Sequence, residues 1–179
     1  MNHSLSVYTV IYLSIIFVTV SIFSSGIANS EGDLRLLIFA QGAFSLKIAI
    51  DDYIHFHKSR TDVYLSLNLS LLIYILLATS IAQAASGNGR IASLLFSFVF
   101  FVGCIWILLS EPSRDERKRR DGWLTVNWTA FLLLLLAAFM LPEKEYSLTA
   151  IPLCVLIALI VTDFFYFGTL RRLAEIQNG

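Results

Sequence analysis

The chain has 179 residues, with 13 basic and 13 acidic side chains, no net charge, 57% hydrophobic residues and only 15% charged ones. A soluble domain carries roughly 25% charged and about 45–50% apolar residues, and a small chain hides only about 70% of its unfolded surface, so the apolar excess calls for lipid as part of the solvent. The charge balance argues against a dedicated nucleic-acid binder, which shows a basic excess. Cys104 and Cys154, each inside an apolar run, make neither a disulfide framework nor a zinc site.

A membrane-crossing helix needs about 20 mostly apolar residues, and six stretches qualify as expected spans. The first covers residues 7–27. It is longer than the apolar stretch of about 7–15 residues in a signal peptide, and residues 1–5 hold no Lys or Arg, so it is expected to be a retained span. The second covers 34–56 and the third 63–84. The fourth covers 91–109, the fifth 123–141 and the sixth 148–167. Turn formers separate them: Asn29 to Asp33, then Ser86, Gly87, Asn88 and Gly89, then Pro142. No connection is long enough to be a domain. The expected fold is therefore all-α, a polytopic bundle of about six transmembrane helices formed by residues 1–179 as one unit. The second span is the least regular of the six. The alternative for it is a tilted or interfacial helix, which would leave five crossings.

Basic residues set the expected orientation. With the N-terminus inside, the cytoplasmic segments hold nine: Lys58, Arg60, Arg114, Arg117, Lys118, Arg119, Arg120, Arg171 and Arg172. The outer segments hold three, Arg35, Arg90 and Lys144, while Lys47 lies within a span. For short loops this is a clear positive-inside bias, and it predicts a multi-pass protein of the cell membrane, in bacterial terms the inner membrane, with both termini in the cytoplasm. Trp123 and Trp128 at the start of the fifth span, and Phe164 to Phe167 ahead of Arg171, suit the headgroup level.

The second span carries the chemistry. At about 100° per residue, Gln41, Ser45, Lys47, Asp51, Asp52 and His55 share one sector of a helix, opposite Ile38, Phe39, Leu46, Ile50, Tyr53 and Phe56. Lys47 and Asp51 are four residues apart and can pair along the helix. Asp163, Asn127, Ser66, Asn68 and Ser70 fall at the same, inner depth, and Asp163 is a second candidate partner for Lys47. Ionisable groups inside a span are costly and are usually paired or functional. The bland alternative ends the span near Ile50, leaving the Asp pair in headgroup water and Lys47 snorkelling outward.

Other motifs carry less. His55 and His57 point about 200° apart on a helix and cannot share an ion, and a zinc site needs at least three ligands, so no metal and no cofactor is expected. No phosphate loop, nucleophile elbow or zincin motif occurs. Residues 111–122 form the one dense charge run. Arg114, Arg117, Lys118, Arg119 and Arg120 there hold the loop in the cytoplasm and are candidates for docking a partner or anionic lipid.

Three functional expectations follow. The first is a small membrane-embedded sensor or scaffold subunit working through a cytoplasmic partner. The second is an ion or proton channel or transporter using the inner-leaflet Lys/Asp cluster. The third, an enzyme using the Asp and His groups at the inner interface, ranks last. The expected partners are the bilayer, a cytoplasmic protein and further copies of the chain, with no nucleic acid.

Overall fold

The computed structural model of the chain describes residues 3–30, 32–58, 63–109, 117–140, 147–163 and 174, and no strand occurs among them. Six helices follow in order: α1 (His3–Asn29), α2 (Gly32–Lys58), α3 (Val63–Ala85), α4 (Gly89–Leu109), α5 (Arg117–Met140) and α6 (Ser147–Thr162). The bounds of α1 to α4 fall within four residues of the sequence reading, because length, hydropathy and turn residues are local properties. α5 instead starts at Arg117, six residues before the expected 123, and takes in basic residues assigned to the loop.

Two tight links show how local chemistry stops one helix and starts the next. At the end of α3, the Asn88 amide donates to the Gln83 carbonyl at 2.9 Å and the Gly87 amide to the Ala84 carbonyl at 3.0 Å. This is the crossed pattern that closes a helix on a left-handed residue, and Gly87 supplies it with φ +83°. Asn88 then starts α4, its carbonyl accepting from the Ala92 amide at 2.9 Å. Between α1 and α2 the Ser30 amide donates to the Gly26 carbonyl at 3.0 Å, and Gly32 takes φ +56°. The Arg35 guanidinium donates to the Ser30 carbonyl at 2.8 and 3.2 Å. Both links force antiparallel neighbours.

The helices form two layers of three. α2 lies between α1 and α6, and α4 between α3 and α5; α1 and α2 face α3, while α6 faces α5 and α4. The layers meet where Phe44 of α2 packs against Phe96 and Phe100 of α4, with ring centroids 5.6 and 4.8 Å apart. Around them lie Ile48, Tyr74, Leu77, Val99, Leu134 and Leu159. Small residues permit the close approaches. A methyl on Gly42 would stand 2.2 Å from the Phe23 ring of α1, and one on Gly103 would stand 2.9 Å from Asn127 Oδ1 of α5.

Polarity runs inside out. Thr19, Gln41, Lys47, Asp52, Ser66, Ser70, Ser80, Ser93, Ser97 and Asp163 are buried, while Phe17, Phe39, Leu46, Ile75, Leu136, Phe139 and Ile157 face outward. Among the described residues, three helical segments are long and apolar enough to cross a membrane: Leu65–Ala85, Gly89–Leu109 and Arg120–Met140. α2 is long enough, but Arg35, Lys47, Asp51 and Asp52 interrupt its apolar character. α6 has only 16 residues, and the rest of the expected sixth span, 164–167, lies outside the described residues.

One expectation for α2 needs correction. Ile38, assigned by the helical projection to the outward face, is fully buried with Leu37, Ile81, Ala84 and Ala92. Contacts to α1, α3 and α6 enclose α2 on several sides, so its inward surface is wider than one polar sector. Phe39 and Leu46 do face outward. The side chains of Tyr53 and Phe56 lie outside the described residues.

Candidate functional site

α2 is continuous through Lys58, so Lys47 stands near the middle of a 27-residue helix, about 16 Å from its C-terminal end at about 1.5 Å per residue. Its burial is 8% exposed, which is unusual for an ammonium. Three groups hold it. Nζ donates to the Asp51 carboxylate one turn on, an ion pair within α2. The Asp163 carboxylate, just past the end of α6, lies 3.9 Å away. The ring of Trp123, from α5, has its centroid 4.2 Å from Nζ. A cation over an indole face gains about 0.5–2 kcal/mol, more as water is excluded. One ammonium thus ties α2, α5 and α6 together.

The two carboxylates differ in surroundings. The Asp163 side chain is 1% exposed, whereas that of Asp51 is 31% exposed. Asp51 is therefore the member of the pair that reaches the surface. Asp52, adjacent in sequence, points elsewhere. It is fully buried against α3, where Ser70 Oγ donates to Asp52 Oδ2 at 2.7 Å. Ser66, one turn before Ser70, is buried on the same face of α3. The bland alternative, with the Asp pair in headgroup water and Lys47 reaching outward, does not describe this geometry: Asp52 is enclosed by protein, and Lys47 turns inward to a buried acid.

Gln41 is not part of this group. It stands six residues before Lys47, about 9 Å along the helix, and its amide nitrogen donates to Ser80 Oγ of α3 at 2.6 Å. Ser80 Oγ donates onward to the Ala92 carbonyl of α4 at 2.6 Å. This relay sits in the other half of the bundle from the Lys47 group. Serines spaced along α3 were the sequence signal for it, since Ser66, Ser70 and Ser80 all fall on its buried stripe. Between the two polar levels lies Phe44, three residues from Gln41 and three from Lys47, stacked with Phe96 and Phe100. All three phenyls are buried.

The remaining sequence candidates spread out. Asn127 is buried, and its amide donates to the Trp123 carbonyl at 2.8 Å, holding its oxygen against Gly103. Asn68 faces outward. The His55 side chain and all of Arg114 lie outside the described residues. Arg117, Lys118, Arg119 and Arg120 form the first turn of α5. Of these, Arg120 is described to its side chain and pairs with the exposed Asp121 at 3.3 Å. Both cysteines are free thiols, Cys104 buried and Cys154 exposed. Trp123 was expected to mark only the headgroup level; its contact with Lys47 depends on how α5 packs on α2 and leaves no local signature.

The chemistry on offer is electrostatic. A buried ammonium is shared between two carboxylates on different helices, beside a third carboxylate held by a hydroxyl. Such a group can hold helices together, exchange partners or take up a proton. Among the described residues, no three of His, Cys, Asp and Glu converge as metal ligands. The chain matches no known protein family, no curated protein and no solved structure.

Proposed function

We propose that the chain is an integral membrane protein of six spans with both termini in the cytoplasm, and that it serves as a membrane-embedded sensor or scaffold subunit acting through a cytoplasmic protein partner. The inside-out polarity supports membrane embedding. Leu, Phe, Ile and Val cover the outward faces of the helices while Ser, Gln, Lys and Asp lie within, the distribution favoured when lipid replaces water. The charge bias of the loops supports the orientation.

The observation that carries the functional reading is the position of the phenyl layer. Phe44, Phe96 and Phe100 separate the Lys47 cluster from the Gln41–Ser80 relay. A conducting path through one bundle needs polar or hydrated groups along its length, and here an apolar plug interrupts them. The cluster is therefore better suited to fixing helix positions than to passing ions. The connections of this chain, none longer than residues 110–116, leave no room for a soluble domain. Connections this short support an output delivered through a second protein. The basic run at the start of α5 is its candidate dock.

Cysteine labelling tests the topology. With Cys104 and Cys154 replaced by Ala, a cysteine at the exposed Ser86, in the α3–α4 turn, is expected to react only from outside. One at the exposed Asp121, at the start of α5, is expected to react only from the cytoplasm. Labelling of both from the same side would end the six-span model.

Affinity capture from native membranes tests the partner, with stoichiometric recovery of one soluble protein expected. Exchanging Lys and Arg at positions 117–120 keeps the charge and hence the topology, but changes the bidentate donors. Recovery is expected to fall about tenfold. Unchanged recovery would reduce the run to an orientation signal, and ion flux through the purified protein in liposomes would favour the channel reading instead.

A further inference from the structure

We infer that Lys47 is a two-partner latch between α2 and α6, in which Asp51 keeps the ammonium paired whenever Asp163 lets go. This deepens the sensor reading and rests on it. A buried lysine with one partner makes a rigid bridge, because breaking the bridge strands a charge in a poor solvent. Lys47 has two partners of different kinds. Asp51 sits one turn along the same helix and moves with it, whereas Asp163 sits at the end of another helix, 3.9 Å away. When α6 separates from α2 at this end, Nζ stays with Asp51 and over Trp123. The step leaves no lone ammonium, and its cost falls on Asp163, the buried acid that parts from it. Two discrete arrangements of similar energy are what a switch element requires.

The surroundings suit this movement. The outward side of α6, with Cys154, Ile157 and Val161, is exposed rather than packed. Asp51 reaches the surface of the bundle, so the carboxylate that takes over the ammonium is free of the packing between α2 and α6. Leu159 of α6 packs with the Phe44–Phe96–Phe100 layer, so the displacement is confined to the Asp163 end of α6, one turn beyond it. α6 leads into residues 164–179, which are cytoplasmic in the proposed topology, so its movement is delivered where a soluble partner can read it.

The test is a distance measurement in lipid nanodiscs on the full chain, with Cys104 and Cys154 replaced by Ala. Spin labels go on the exposed Leu46 of α2 and Val161 of α6, and a reference pair goes on the exposed Ile75 of α3 and Ile91 of α4. The wild-type α2–α6 distribution is expected to hold a minor long-distance population. Asp163→Asn is expected to raise that population about tenfold, equivalent to an ion-pair contribution of about 1.4 kcal/mol, with the reference pair unmoved. Asp51→Asn is expected to do the opposite and narrow the distribution, because Asp163 becomes the one remaining acid for Lys47. An unchanged α2–α6 distance in folded Asp163→Asn, or a shift in the same direction in both variants, would overturn the latch. Should Asp163→Asn not fold, Asp51→Asn decides alone: narrowing supports the latch, and no change or widening refutes it. No partner is needed, so a static α2–α6 pair alongside intact partner capture sinks the latch and spares the docking proposal, while the converse result sinks docking alone.

Discussion

Lys47→Met is expected to destabilise the detergent-solubilised protein by about 3–5 kcal/mol, the cost of removing one member of a buried ion pair. The loss comes less from the missing attraction than from the acids left behind. Asp163 is 1% exposed and keeps its desolvation cost when the ammonium goes, whereas Asp51, at 31%, is less enclosed and can turn out of the bundle. The second substitution therefore discriminates. Lys47→Met with Asp163→Asn is expected to recover more than half of the loss, and Lys47→Met with Asp51→Asn less, although Asp51 makes the closer contact. Burial decides the ranking here, because the enclosed carboxylate has no way to reorient once the ammonium is gone. Denaturant or thermal unfolding of the single and double mutants measures each coupling. A snorkelling lysine would give a neutral or stabilising Lys47→Met, and additive double mutants would remove the charged cluster as an organising element of the bundle.

Phe100→Ala is expected to cost about 3–5 kcal/mol, the range for emptying a buried phenyl site, and to admit protons across a bundle that otherwise excludes them. Phe100 touches both Phe44 and Phe96, at centroid distances of 4.8 and 5.3 Å, so its loss opens the layer between the Lys47 cluster and the Gln41–Ser80 relay. In sealed liposomes loaded with a pH dye, wild-type protein is expected to leave the membrane tight, and Phe100→Ala to raise the proton leak at least about tenfold, as removal of an apolar gate does. Phe101→Ala is the control. Phe101 belongs to a separate aromatic group with Phe98, Trp128 and Phe131 toward the outer side of α4 and α5, and its loss is expected to leave the leak at the wild-type level. Conduction by the wild-type protein, with little further effect of Phe100→Ala, would favour the ion-pathway reading over the sensor or scaffold.

What the amino-acid sequence determined by itself is the set of local properties. Six helices, their ends and the turn at Ser86, Gly87 and Asn88 follow from hydropathy, length and the need of one residue for positive φ. So does the pairing of Lys47 with Asp51, because residues four apart on a helix are neighbours whatever surrounds them. The tertiary structure decided everything that needs a second helix. A helical projection gives azimuth and nothing of what stands opposite, so it grouped Gln41 with Lys47 although packing gives Gln41 to Ser80 and Lys47 to Asp163 and Trp123. It also turned Ile38 outward, although contacts on several sides of α2 bury it. Asp163 and Trp123 lie 116 and 76 residues from Lys47 along the chain, and no local pattern encodes such a meeting. It arises because α6 packs against both α2 and α5, which brings Asp163 and Trp123 to the middle of α2, where an ammonium too costly to leave unpaired finds a buried carboxylate and the face of an indole.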